Sequence, residues 1–329
     1  MWLRTSACTG SPILEPVPDP SLPDFFMVGA PKCGTTAMYD YLRRHPDLFL
    51  PERKELRYFG RDLDIRDRRN LSREEYLEYF AGAPPAVRIG TAYVWYLFSR
   101  SAASEIAEFN PDAQIIAMIR NPLQMLPALH AEHLSNGNED IVDFTAALAA
   151  EPDRRHGRRI PPHAHLPQGL EYSRVPRYSE QLERYFKVFG PERVHVIVFD
   201  DFSESPGQCY RELLRFLGVR DDFTLPSFPV VNARKRLRSE RLRHFLARPP
   251  ERPRRLIKHL IPAGLRRAAF ERAKGWNMVA ARPTPVPADT IERLRAIFVG
   301  EVDRLSQLLG RDLSHWIAPA RGGSSAGRT

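Results

Sequence analysis

Residues Phe25 to Thr36 read Phe-Phe-Met-Val-Gly-Ala-Pro-Lys-Cys-Gly-Thr-Thr, an apolar run that enters a glycine- and lysine-bearing turn and then opens a helix. Met27 and Val28 extend the apolar run, and Gly29 and Gly34 permit tight backbone geometry. Ala37, Met38, Tyr41 and Leu42 then recur at helical spacing as far as His45-Pro46. Backbone amides at a helix start lack internal acceptors and carry partial positive charge, so with Lys32 they form a cradle for an anionic group. The spacing differs from the nucleotide-triphosphatase loop, Gly-x4-Gly-Lys-Ser/Thr. Here the lysine stands three residues after Gly29 and two before Gly34. Taken alone, the segment also fits an ordinary strand-turn-helix with a solvated lysine.

Further along, Ser72-Arg73-Glu74-Glu75 carries a carboxylate three residues after a hydroxyl, the signature of a helix start, with Tyr76, Leu77, Tyr79 and Phe80 as its apolar face. Val87 to Tyr93 reads as a short strand, and Ala113 to Ile119 as a buried strand ending at Arg120-Asn121-Pro122. A helix is expected over Ser179 to Phe189, a strand over Val194 to Phe199, and an amphipathic helix over Gln208 to Leu217 closed by Gly218. Strands separated by helices predict an α/β fold, a parallel sheet flanked by helices, whose ligands gather beyond the strand carboxyl ends. Lys32 and Arg120 both fall there. Ile291, Leu294, Ile297, Phe298, Val302, Leu305 and Leu308 make a helical stripe read as core packing. The expected organisation is a loose amino terminus over 1–23, one domain over 24–316 with a basic helical extension from about 237, and a disordered tail over 317–329.

Pro31-Lys32-Cys33-Gly34-Thr35-Thr36 resembles the 5′-phosphosulfate-binding loop of sulfotransferases that use 3′-phosphoadenosine 5′-phosphosulfate (PAPS), where Pro-Lys-[Ser/Cys]-Gly-Thr-Thr/Ser is characteristic. Ile116-Ala-Met-Ile-Arg-Asn-Pro122 resembles the second signature of that family, a strand that delivers an arginine, here Arg120, to the donor 3′-phosphate. The family usually places a serine eight residues after this arginine, where this chain has Ala128. Loss of that hydroxyl weakens donor binding by roughly 1.5–3 kcal/mol unless another group substitutes. Val231-Asn-Ala-Arg-Lys-Arg236 resembles the late basic loop over the same phosphate, making Arg234, Lys235 and Arg236 candidates; a solvated charge run is the bland alternative. The similarity runs from about Phe25 to Arg238, more weakly to Trp316, and is nearest to bacterial members with heparan-type motifs.

The resemblance implies in-line sulfuryl transfer without an obligatory metal, with Lys32 stabilising the departing phosphate. Pro51-Glu-Arg-Lys-Glu-Leu-Arg-Tyr-Phe59 looks like the Lys-Glu-x-x-Phe-Phe segment of the heparan branch and implies Glu55 as general base, with Lys54 orienting donor or acceptor. A surface pairing of Glu55 with Lys54 or Arg57 is the local alternative. His130 is a second base candidate, after the histidine of cytosolic sulfotransferases, and His133 lies near it. Thr91-Ala-Tyr93 stands where the family has Ser/Thr-Pro-x-Tyr, with Ala92 replacing proline.

A chain of 329 residues with 43% hydrophobic content supports a sizeable core. The net charge of +9 comes mainly from arginine, which suits phosphate and sulfate as well as nucleic acid. No zinc-finger spacing, aromatic RNA-binding signature or basic-zipper pattern accompanies it, so a nucleic-acid partner is not expected. Cys8, Cys33 and Cys209 form no metal spacing. With no signal-peptide core and no apolar run of membrane length, a cytoplasmic location is expected. The basic amphipathic stretch Leu256 to Trp276 fits a helix packed on the domain better than a peripheral membrane contact. The expected acceptor is a hydroxyl on a carbohydrate or small molecule. Two rivals stand beside this reading: a P-loop kinase or nucleotide hydrolase using Asp200 and Asp201 for magnesium, and a noncatalytic anion- or polysaccharide-binding protein.

Overall fold

The computed structural model describes residues 22–66, 70–85, 87–223, 225, 227–228, 235–237, 278–280 and 285–319. Five strands, β1 (Phe25–Gly29), β2 (Leu48–Phe49), β3 (Arg88–Ala92), β4 (Gln114–Ile119) and β5 (Val194–Val198), form a sheet of order β2-β3-β1-β4-β5. Every neighbouring pair is parallel. The strand that reads as a continuous apolar run, β1, sits in the middle with all five residues buried, as a strand covered on both faces must be. Phe25 faces Gly90 on one side and Gln114 on the other, and Ile115 to Ile119 run in register with Val194 to Val198. The β1–β4 register shifts between Met27 and Gly29, where the strand gives way to the turn.

The connecting helices are α1 (Thr35–Leu42), α2 (Arg73–Glu78), α3 (Ala102–Phe109), α4 (Pro122–Asn136), α5 (Phe144–Ala149), α6 (Glu151–Arg155), α7 (Tyr178–Phe189), α8 (Phe199–Glu204) and α9 (Pro206–Leu217). The last long helix is α10 (Ala288–Leu309). One group gathers α1, α8 and α9 through the rings of Tyr41, Phe202 and Tyr210. A second gathers α3, α7 and α10, with α7 lying on β4 and β5. The helix start read at Ser72 is a full capping box: Ser72 Oγ accepts the Glu75 amide at 3.2 Å and Glu75 Oε2 accepts the Ser72 amide at 2.8 Å.

Phe25, Phe26, Ile115 and Ile116 are fully buried. Each side chain of this kind contributes about 1.5–3 kcal/mol on burial, against about 0–1 kcal/mol for an ion pair at the rim. The sheet centre therefore holds the loops at its carboxyl edge in place. The stripe on α10 buries Leu294, Phe298, Val302 and Leu305. The same helix also supplies Glu301, buried, whose carboxylate accepts from the Ser179 amide at 2.7 Å and the Ser179 hydroxyl at 3.0 Å. That places an anion at the amino-terminal end of α7 and locks α10 onto it. Lys235–Leu237 (β6) pairs antiparallel with Met278–Ala280 (β7), and β6 runs against α4. The basic stretch 256–276 and the ends 1–21 and 320–329 lie outside the described residues.

Candidate active site

The loop Ala30 to Gly34 leaves the carboxyl end of β1 and is pinned to the next strand by the Ala30 amide, which donates to the Met118 carbonyl at 2.6 Å. Gly34 caps α1 in the left-handed region, φ 89°. A Cβ at Gly34 would lie 2.9 Å from Phe202 Cε1, so backbone conformation and packing both demand glycine. Among the described residues the amides of positions 32 to 36 find no backbone acceptor, which leaves them for an anion. Pro31 and Cys33 form the buried side of this loop, Thr35 is buried, and Lys32 and Thr36 are half-buried. The Cys33 thiol donates to the Pro31 carbonyl at 3.4 Å and lies 3.8 Å from the Tyr178 hydroxyl. Burial pushes it up to about 12, so it is a neutral floor to the loop and not a nucleophile.

Arg120, at the carboxyl end of β4, reaches the same loop. Its Nη1 donates to the Lys32 carbonyl at 3.2 Å, its Nη2 donates to Gln124 Oε1 at 3.1 Å, and its guanidinium carbon lies 4.1 Å from the centre of the Phe199 ring. Phe199 follows β5, so the groups that fix Arg120 come from three consecutive sheet-end segments. Gln124 and Phe199 carry no sequence signal of this role. They are placed by the first turn of α4 and by the start of α8.

Glu55 comes to the same edge from the segment after β2. Its amide donates to the Ala92 carbonyl at 3.0 Å, and its Oε2 accepts the Val94 amide at 3.1 Å, which docks it on the carboxyl end of β3. Its Oε1 pairs with Lys54, whose ammonium stands 3.5 Å from Thr35 Oγ1 at the start of α1. The local pairing with Lys54 is thus present, and it connects Glu55 to the cradle. Among the described residues the non-glycine positions with positive φ are Lys32 at 62°, Glu55 at 65° and Arg159 at 49°. Such a conformation costs of order 1–3 kcal/mol. Two of the three fall on the residues the sequence nominated for chemistry.

Lys32 itself points to α4, where Glu132 Oε2 lies 2.5 Å from its ammonium. Sequence reasoning missed Glu132, since only the turn of α4 brings a residue twelve positions past Arg120 back over the loop. The other candidates sit as follows. Ala128 is buried on α4, and Thr91 is buried in β3. The Tyr93 amide donates to the Met27 carbonyl at 3.1 Å. His130 is buried, with a ring N–H donating to the Ile141 carbonyl at 2.9 Å, an arrangement that suits packing. Arg234 lies outside the described residues; Lys235 and Arg236 stand in β6 beside α4. The carboxylates read as a possible magnesium site are engaged elsewhere. Asp200 Oδ2 accepts from Trp316 Nε1 at 2.7 Å and from His315 Nε2 at 3.0 Å, and Asp201 is gripped by both terminal nitrogens of Arg311. These contacts tie the carboxyl terminus to α8.

The family model described as sulfotransferase domain matches residues 22–263. The chain belongs to this family. A crystal structure of a sulfotransferase from Alicyclobacillus acidocaldarius superposes with a TM-score of 0.67 at 27% identity, covering 90% of this chain and 99% of that one. Among curated relatives, carbohydrate sulfotransferase 15 of Homo sapiens is 26% identical over 271 residues, 65% of this sulfotransferase and 48% of the relative. The bifunctional heparan sulfate N-deacetylase/N-sulfotransferase 3 of Homo sapiens is 25% identical over 212 residues, 60% of this chain and 22% of the relative. The sulfotransferase described here therefore spans about half or less of the length of those relatives. Among its described residues no helix is long and apolar enough to cross a membrane.

Proposed function

We propose that this sulfotransferase moves the sulfuryl group of PAPS in line onto an acceptor hydroxyl of a carbohydrate or small molecule. The observation that carries the reading is the meeting, at one edge of the sheet, of the amide cradle with its Lys32, Arg120 and the Glu55–Lys54 pair, from three separate segments. In the proposed step the acceptor oxygen forms a bond to sulfur as the bond from sulfur to the phosphate oxygen breaks. The hydroxyl proton passes to Glu55, and 3′,5′-adenosine bisphosphate departs with the negative charge. Lys32 and the amides of Cys33, Gly34, Thr35 and Thr36 neutralise that charge where it develops, while Pro31 shapes the turn. Glu55 uses one oxygen for the Val94 amide and the other for Lys54, which leaves lone pairs on both for an incoming hydroxyl. Arg120 takes the 3′-phosphate by its fork, with Arg234, Lys235 and Arg236 as the late basic residues that share it.

The acceptor class rests on the relatives, whose names specify carbohydrate and heparan sulfate. The test is incubation with sulfur-labelled PAPS and a panel of hydroxylated acceptors in the presence of a chelator, with the labelled product identified by mass. Transfer of label supports the reading. Turnover of ATP with magnesium and none of PAPS would establish the kinase or hydrolase alternative, and acceptor binding without any turnover the noncatalytic one.

A further inference from the structure

The proposed reaction needs Lys32 for the departing phosphate, yet in this structure its ammonium is bound to a carboxylate: Glu132 Oε2 stands 2.5 Å away, with the two side chains 42% (Glu132) and 27% (Lys32) exposed. We propose that Glu132 is a positioning residue that holds Lys32 in the donor-free enzyme and yields it to the incoming phosphosulfate. The inference rests on the role given to Lys32 above.

The backbone on both sides of the pair is fixed. Lys32 belongs to a loop pinned through its own carbonyl by Arg120 and held at φ 62°. Glu132 stands on α4, whose neighbouring positions Leu129 and His133 are buried in the core. The exchange is therefore a rotation of two partly exposed side chains and needs no movement of the loop. An ammonium has three donors and can in principle serve two anions at once. A carboxylate kept in contact with Lys32, however, would stand against the polyanionic donor inside the cleft, where like charges repel more strongly than in water. Donor binding then separates the pair, and the attraction lost appears as weaker donor affinity. For a half-exposed ion pair that penalty is a factor of about 2 to 5.

The test measures the KM for PAPS at a fixed acceptor concentration for the wild type, Glu132→Gln and Glu132→Ala. Both variants should lower KM about 2- to 5-fold, a larger change than that in kcat, and the gap to wild type should close as potassium chloride is raised, because salt screens the pair. A purely structural role for Glu132 would lower the melting temperature and kcat without lowering KM. An unchanged or raised KM in both variants overturns the proposal. Lys32→Ala in the same assay separates the two levels: wild-type turnover in that variant overturns the functional reading itself, whereas a defective Lys32→Ala beside Glu132 variants of wild-type KM overturns only the role of Glu132.

Discussion

His133 should make this fold acid-labile in a way that one substitution abolishes. The residue lies on α4, stacks on Trp95 with ring centres 6.2 Å apart, and faces Tyr172 at 6.1 Å. Neither ring nitrogen has a hydrogen-bond partner among the described residues. Burial lowers the imidazole to about 4 from its ordinary 6.5; the nearby Glu132 and Glu139 oppose the shift, and His130 and Arg154 add to it. The folded protein thus keeps His133 neutral where the unfolded chain already protonates it. Stability from this residue is fully present above pH 6.5 and drains away as the pH falls towards 4. At about 1.36 kcal/mol for each tenfold difference in proton affinity, the loss is of order 3 kcal/mol. His130 and His195 are also lowered by burial and push the same way, so the wild-type curve alone does not isolate His133. His133→Phe does. A phenyl ring keeps the stacking between Trp95 and Tyr172, leaves no former partner unpaired, and as a similar-volume swap should cost less than about 1.5 kcal/mol at neutral pH. Urea unfolding of both proteins across this pH range should show wild type losing roughly 3 kcal/mol more than the variant. Parallel stability curves would refute the assignment of a buried, neutral imidazole.

Three further outcomes follow from the geometry. Ala128→Ser restores the hydroxyl that the family usually presents to the 3′-phosphate, and a charge-assisted bond worth roughly 1.5–3 kcal/mol should lower the KM for PAPS at least about tenfold; an unchanged KM would mean that this part of α4 does not meet the donor. Glu55→Gln keeps the shape and the Val94 contact but cannot take the acceptor proton, so labelled transfer should fall by about 10² to 10⁴, and full retained activity excludes Glu55 as base. Arg154→Ala removes the cation that meets the Glu139 carboxylate at 2.7 Å with both side chains fully buried, leaving that buried charge only the Tyr172 hydroxyl and the Asp140 and Ile141 amides, and should cost about 3–5 kcal/mol in urea unfolding. A cost below about 1 kcal/mol would show that the carboxylate is solvated or protonated once its partner is gone.

The parts of this protein that were legible in its sequence are those where local chemistry and tertiary environment agree. The run Phe25 to Gly29 is apolar because both faces of the sheet centre are covered, and Gly34 is glycine because a left-handed cap and the Phe202 ring leave no room for a side chain. The strand that ends at Arg120, the capping box at Ser72 and the stripe on α10 were readable for the same reason. Helix α4 was not. It contains Pro127, and it buries His130 and His133 among its apolar residues, so its stripe is broken in the sequence although the surface it packs on is continuous. Helix α3 is eight residues long, too short for a firm periodicity, and β2 has two residues held by their pairing with Arg88 and Ile89. The acids after β5 read as metal ligands because a strand end followed by two aspartates looks the same whether or not Arg311, His315 and Trp316 come back to claim them. Glu132 was invisible because its partner lies a hundred residues earlier, and only the crossing of α4 over the loop brings them together.

The measurement closest to the central claim is the rate of labelled sulfuryl transfer at saturating PAPS by the wild type and by Lys32→Ala. If the loop amides and this one ammonium stabilise the departing phosphate, the variant should bind donor and turn over about 10²- to 10³-fold more slowly, since the charge develops only as the bond to sulfur breaks. A kcat equal to that of the wild type would contradict the account.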